Sequence, residues 1–224
     1  MAIRIPFGID EWYHCYTRGI DGRQTFMDAS DYKRFLRVLY LTNSTKPLHN
    51  VDIERKTLPE VLKIRRPQTI VAIGAFCLMP NHFHFLVKEI IEGGISAFMQ
   101  KLGTAYAMYF NSKYERVGGL FVKPFRSRHV SDDRYFQQVL QYIHCNPAEL
   151  YEPRWKTGVV RDMRTLEKKL LNYQYGSFGA HIQKDNVLRP LLDPSVFEVE
   201  TQLKPSAMLK EARAYYADLD TFAF

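Results

Sequence analysis

Met79-Pro80-Asn81-His82-Phe83-His84-Phe85-Leu86-Val87 stops one β-rich run and starts another, and the rest of the chain arranges itself around that reading. Upstream, residues 69–78 are rich in β-branched and apolar types, Pro80-Asn81 is a turn or bulge signal, and residues 82–88 alternate in the manner of a strand. So short a connection makes the two strands antiparallel neighbours. Side chains two apart on a strand share a face, so His82 and His84 project together while Phe83 enters the opposite side. Two such imidazoles read either as a two-nitrogen seat for a divalent metal or as a cross-strand-packed histidine pair.

Working outward, residues 11–18 form a first apolar-alternating strand, closed by the turn signal Gly19-Ile20-Asp21-Gly22. Capping residues at 28–30 precede a helix over 31–42, and residues 44–68 read as an irregular, proline-broken connection with a short helix. Gly93-Gly94 ends the histidine strand. Beyond it Ile95, Phe98, Met99, Leu102, Ala105, Tyr106, Tyr109 and Phe110 recur at helical steps, predicting a helix over 95–114. Residues 120–130 read as extended and basic, and Asp132-Asp133 cap a helix that runs towards Asn146 and stops at Pro147. The core order is β-α-β-β-α-β-α. Later come a basic helix over 161–171, a loop over 173–179 and a terminal helix over 206–218.

The chain has 224 residues, 46% of them apolar and 25% charged, which is ordinary globular usage and excludes a disordered chain or a small stapled scaffold. Its longest apolar stretch, residues 70–80, is about half of a membrane span, and residues 1–12 lack the apolar core of a secretory signal. A cytoplasmic protein without a membrane partner is expected. Cys15, Cys77 and Cys145 are scattered, so neither a disulfide framework nor a zinc cluster is signalled. Gly176-Ser177-Phe178-Gly179 lacks the spacing of a nucleophile elbow, and no Walker loop or His-Glu-x-x-His occurs. A net charge of +7, with 14 Tyr and 15 Phe, suits a polyanionic partner with unpaired bases, or simply a basic housekeeping enzyme.

Within Tyr142-Ile143-His144-Cys145-Asn146, the four-residue separation puts Tyr142 and Asn146 on one helical face. A tyrosine hydroxyl, with a pKa near ~10, is a poor nucleophile unless a cation polarises its target or lowers that pKa. The His pair plus Asn146 would hold such a cation, and a donor set so poor in negative charge suits Mg²⁺ or Mn²⁺ shared with substrate phosphate oxygens. The competing reading makes Tyr142 a packed aromatic and Asn146 a helix C-cap.

Taken together these segments resemble a known family. Residues 79–87 resemble the His-hydrophobic-His (HUH) strand of bacterial single-tyrosine transposases, particularly the REP-associated tyrosine transposases. Tyr13-His14-Cys15-Tyr16-Thr17-Arg18-Gly19 resembles the family's opening strand, and Asp31-Tyr32-Lys33-Arg34-Phe35-Leu36 its first helix. Gly118-Gly119-Leu120-Phe121 with Phe125-Arg126-Ser127 resembles the segment before its catalytic helix, and Tyr142-Ile143-His144-Cys145-Asn146-Pro147 that helix itself.

The resemblance implies an α+β fold with a ferredoxin-like antiparallel sheet backed by helices. It implies Tyr142 as catalytic tyrosine, His82 and His84 as metal pair with Asn146 as third ligand, and a divalent Mg²⁺ or Mn²⁺ cofactor. The expected activity is cleavage and rejoining of single-stranded, hairpin-bearing DNA through a 5′-phosphotyrosine intermediate, by a monomer or a homodimer. Arg18, Arg23, Lys123, Arg126 and Arg128 could neutralise phosphates near the cleft, as could a second basic track over residues 154–169; each also reads as a solvated surface charge. Tyr106, Tyr109 and Tyr135 are candidates for base stacking, although tyrosines at helical spacing are more often core. The expected layout is a catalytic domain over 1–150, with 46–68 as an insert, and a basic helical extension over 151–224.

One departure stands out: where the family usually continues Asn-Pro with a small residue and an Arg, this chain reads Asn146-Pro147-Ala148-Glu149-Leu150. An acid stands where a phosphate-binding cation would be expected. Two other functions share the same residues: water-mediated phosphodiester hydrolysis, and a catalytically silent regulator that binds DNA hairpins.

Overall fold

The computed structural model describes residues 6–46, 55–198 and 205–220, with side chains through Tyr215 in the last stretch. Residues 47–54 of the expected insert lie outside the described residues.

Four strands, β1 (Trp12–Arg18), β2 (Val71–Met79), β3 (His82–Glu89) and β4 (Arg126–Val130), form one sheet in the order β2-β3-β1-β4. Every neighbouring pair is antiparallel. With α1 (Ala29–Thr42) between β1 and β2, and α3 (Gly94–Lys113) between β3 and β4, this is the ferredoxin-like arrangement. A five-residue helix, α2 (Leu58–Leu62), lies in the connection ahead of β2, as the proline-broken sequence anticipates.

α1 starts where Asp28 accepts hydrogen bonds from the backbone N–H of Ser30 and Asp31 while Asp31 accepts from the N–H of Asp28, a reciprocal capping box. α3 is capped from a distance: the fully buried Glu89 carboxylate accepts from the N–H of Gly94 at 3.1 Å and of Ile95 at 2.6 Å. A negative charge there faces the positive end of the helix dipole. The chain enters through Gly93, whose φ of 71° favours glycine.

The two faces of the sheet have different covers. Phe83, Phe85 and Val87 of β3 join Phe35, Leu39, Phe98 and Tyr106 in a core under α1 and α3. Ala75, Cys77 and Met79 of β2 and Leu86 of β3 join a second core with α4 (Asp133–Cys145). β2 is therefore buried along its whole length, which is why it reads as a continuous apolar run rather than an alternating one. The alternation shifts at a bulge between Ile73 and Ala75, where Gly74 lies against Trp12.

Beyond α4 come α5 (Ala148–Tyr151), α6 (Met163–Leu171), α7 (Phe178–Ile182) and α8 (Pro205–Asp220). Met208, Leu209, Ala212 and Tyr215 of α8 pack into the α4 core. The strand expected over 120–130 is confined to Arg126–Val130, because the preceding residues make only a single bridge, Gly19 to Phe121, before the chain turns. Among the described residues no helix is long and apolar enough to cross a membrane.

Candidate active site

The face of the sheet beneath α4 gathers an unusual run of polar rings. In the β1/β3 register Tyr16 stands opposite His84 and Arg18 opposite His82, and His14 follows Tyr16 on the same face of β1. Above them, α4 carries Tyr142, whose ring lies edge-on to His84 at 5.2 Å between centroids and to His14 at 5.7 Å. One turn further on, Asn146 presents its amide oxygen 3.3 Å from His82 Nε2. His82, His84, Tyr142 and Asn146 line one cleft of about 490 Å³, with Tyr16, Arg18, Glu149 and Lys156 among its other walls.

The hydrogen bonds around His82 decide what that imidazole offers. Asn81 Nδ2 donates to Gly22 O at 3.3 Å, so it is Asn81 Oδ1 that faces His82 Nδ1 at 2.7 Å. An amide oxygen only accepts, so the hydrogen sits on His82 Nδ1 and Nε2 carries a lone pair. That lone pair and the oxygen of Asn146 face each other as two acceptors, which is the donor set of a cation. His84 has Nδ1 engaged by His14 Nε2 at 2.9 Å, leaving Nε2 to ligate. Burial lowers the His82 pKa to about 4, against a smaller upward pull from Asn146. Burial, reinforced by His14 and His82, pushes His84 well below its ordinary value. Both rings are neutral at pH 7, the form that binds metal. The residues present thus fit a divalent ion held by two imidazoles and an amide. Among the described residues no cluster of three or more His, Cys, Asp or Glu side chains is placed to hold one.

The basic candidates separate. Arg18 lies on the cleft wall and also borders, with Tyr16 and Arg126, a smaller depression beside it. Arg126 and Arg128 stand opposite Tyr16 and His14 in the β1/β4 register, on the same face as the histidines. Arg23 turns away, its Nε donating to Ile20 O at 2.9 Å and its guanidinium pairing with Asp21 at 3.3 Å. Lys123 is exposed on the loop ahead of β4. Tyr106 is corrected as a stacking candidate: it is fully buried and its hydroxyl donates to Thr25 O at 2.6 Å. Tyr109 donates to Asp31 at 2.9 Å, and Tyr135 to Tyr215 at 3.5 Å.

Two members of this polar face escape sequence reasoning. His14 is fully buried; its Nε2 meets His84 and its Nδ1 meets the Tyr215 hydroxyl of α8 at 2.9 Å. Burial, helped by the Arg128 charge, lowers the His14 pKa to about 3. Tyr215 is also in ring contact with Tyr142, at 4.9 Å between centroids. The one sequence signal was a histidine inside an otherwise apolar-alternating strand.

No curated protein matches the sequence. One similar solved structure is that of a REP-associated tyrosine transposase bound to a REP hairpin, at 12% identity and a TM-score of 0.49, covering 81% of this chain and 84% of that one. A sequence model of the family described as "Transposase IS200 like" matches residues 34–146, half of the chain, and its span includes both histidines of the strand, the tyrosine and the asparagine. The chain belongs to the IS200-like transposase family.

Proposed function

We propose that this protein cleaves and rejoins single-stranded, hairpin-bearing DNA, with Tyr142 as nucleophile and His82, His84 and Asn146 holding a divalent Mg²⁺ or Mn²⁺. The observation that carries this reading is the convergence, in one cleft, of a tyrosine on a rigid helix with two neutral imidazoles and an amide oxygen. When bound, the metal would supply Lewis-acid stabilisation of charge on the non-bridging phosphate oxygens.

In the proposed step the Tyr142 oxygen forms a bond to phosphorus and the bond from phosphorus to the 3′ oxygen breaks. The phenolic proton is lost to solvent and the departing oxygen gains one. The products are a 5′-phosphotyrosine and a free 3′-hydroxyl; the phosphodiester is exchanged rather than hydrolysed, so no ATP is consumed. Attack by another 3′-hydroxyl on the adduct reverses the chemistry and joins strands. α4 holds Tyr142 over the sheet, so the nucleophile is fixed before substrate arrives. Arg18 and Lys156 on the cleft walls would draw phosphates in, and Arg126 and Arg128 extend the same basic face.

In this reading residues 1–150 form the catalytic unit, and the extension over 151–224 adds Lys156 and Tyr215 to the same face. The protein would act in the cytoplasm, on DNA of the nucleoid.

The test incubates wild-type protein and Tyr142→Phe with labelled hairpin DNA from sequence flanking the gene, with Mn²⁺, Mg²⁺ or EDTA, and resolves products under denaturing conditions. A metal-dependent covalent adduct, absent from the Phe variant, is expected. Free 5′-phosphate product retained by the variant would establish hydrolysis instead, and binding without cleavage would establish the regulator.

A further inference from the structure

We propose that His14 and Tyr215 are positioning residues for the metal site, forming a buried relay from α8 through β1 that holds His84 in the tautomer whose Nε2 can ligate. The inference rests on the reading of His84 as a metal ligand. Its geometry stands apart from that reading. His84 Nδ1 lies 2.9 Å from His14 Nε2, and His14 Nδ1 lies 2.9 Å from the Tyr215 hydroxyl. His14, His84 and Tyr215 are almost completely buried, so water does not compete for these bonds.

Only one hydrogen lies between the two imidazoles, and it has two homes. With the hydrogen on His84 Nδ1, His14 accepts through Nε2, carries its own hydrogen on Nδ1 and donates to the Tyr215 oxygen. His84 Nε2 then bears a lone pair. With the hydrogen on His14 Nε2, Tyr215 must donate to His14 Nδ1, and His84 carries its hydrogen on Nε2, where it blocks ligation. Both arrangements are neutral. The choice therefore turns on which way the Tyr215 hydroxyl points. Tyr135 donates to that hydroxyl at 3.5 Å, so the Tyr215 oxygen already serves as an acceptor in this group and its second lone pair can accept from His14. Hydrogen bonds of this kind behind a ligating histidine orient the ring and raise its basicity, and their loss typically weakens metal affinity by roughly tenfold to a hundredfold.

The chain reaches this arrangement from distant parts of its sequence. His14 lies on the inner strand β1 and Tyr215 on α8, whose Met208, Leu209 and Ala212 anchor the helix against the α4 core. The contact is thus a property of the folded extension.

The experiment compares full-length wild type, His14→Leu, His14→Gln and Tyr215→Phe, each checked for folding by thermal melting. Two readouts are taken without DNA: the histidine ¹⁵N spectrum of the metal-free protein, which reports each ring's tautomer, and Mn²⁺ affinity by electron paramagnetic resonance. Wild type is expected to show His84 with its hydrogen on Nδ1. His14→Leu should lose that preference and bind Mn²⁺ about tenfold or more weakly, and Tyr215→Phe should do so by a smaller factor. His14→Gln, whose amide oxygen can accept from His84 Nδ1, should recover most of the affinity. A His84 tautomer unchanged in folded His14→Leu and Tyr215→Phe overturns the relay, whether or not metal binds. A tautomer that shifts as expected in protein forming no DNA adduct supports the relay and overturns the nucleophile assignment instead.

Discussion

Glu149 and Lys156 meet on the cleft wall at 2.8 Å, so the acid that follows Asn146-Pro147-Ala148 is matched by a lysine seven positions later. Glu149 stands on α5 and Lys156 on the short 3₁₀ turn Trp155–Thr157. Trp155, fully buried in the α4 core, anchors that turn. Lys156 is close enough to the histidines to press both of their pKa values downward.

If Lys156 contacts a DNA phosphate, Lys156→Met should weaken single-strand binding about threefold to tenfold and reduce the slope of log K against log salt by about 0.7. Glu149→Gln should change affinity in the opposite direction, because it releases the lysine from its partner. Fluorescence anisotropy over a salt series measures both. Equal slopes for wild type and Lys156→Met would remove Lys156 from the phosphate path.

Metal binding at His82, His84 and Asn146 should appear as stability. Mn²⁺ at about 100 times its Kd should stabilise the fold by about 2.7 kcal/mol, or about 5–10 °C in Tm for a chain of this size. His82→Ala should abolish the increment, and EDTA should return wild type to its metal-free melting point. A melting curve for His82→Ala that still rises with Mn²⁺ would place the ion elsewhere.

Acid sensitivity should come in part from the β2 edge of the sheet. His181 donates from Nε2 to Gly74 O at 2.9 Å, and burial lowers its pKa to about 4. Between the unfolded value near ~6.5 and the folded value, the unfolded chain binds the proton and the folded chain refuses it, so stability falls as pH drops through that window. Below pH ~4 both states are protonated and this contribution is exhausted. His181→Gln keeps a donor without titrating, so its Tm should fall less than that of wild type between pH 6.5 and 4. Parallel curves would assign the acid limb to other groups.

The Glu89 cap offers a purely structural check. Glu89→Ala leaves the N–H groups of Gly94 and Ile95 buried without their carboxylate, and should cost about 2–4 kcal/mol by urea denaturation. A loss below about 0.5 kcal/mol would mean that water reaches the start of α3.

Much of this architecture was legible because it is local. The period of two that pairs His82 with His84, and the step of four that pairs Tyr142 with Asn146, need only strand and helix geometry, and the structure gathers all four in one cleft. The helical steps over 95–114 also placed Tyr106 among apolar neighbours, a stronger signal than its capacity to stack. His14 and Tyr215 were out of reach for the opposite reason. Their contact spans 201 positions and depends on the β1/β3 register and on how α8 docks, neither of which leaves a periodic trace. Lys156 was legible as one charge of the basic track over 154–169, but not its place on the cleft wall, because after Pro147 short helices and turns give hydrophobic patterning little length to act on.

The bond between His14 and Tyr215 also sets an order of events during synthesis. The strand that carries His14 leaves the ribosome 201 positions ahead of its partner on α8. Until that helix emerges and docks, the imidazole behind His84 lacks its outer partner, so a nascent or prematurely terminated chain presents the tyrosine and both cleft histidines without the support of the finished protein.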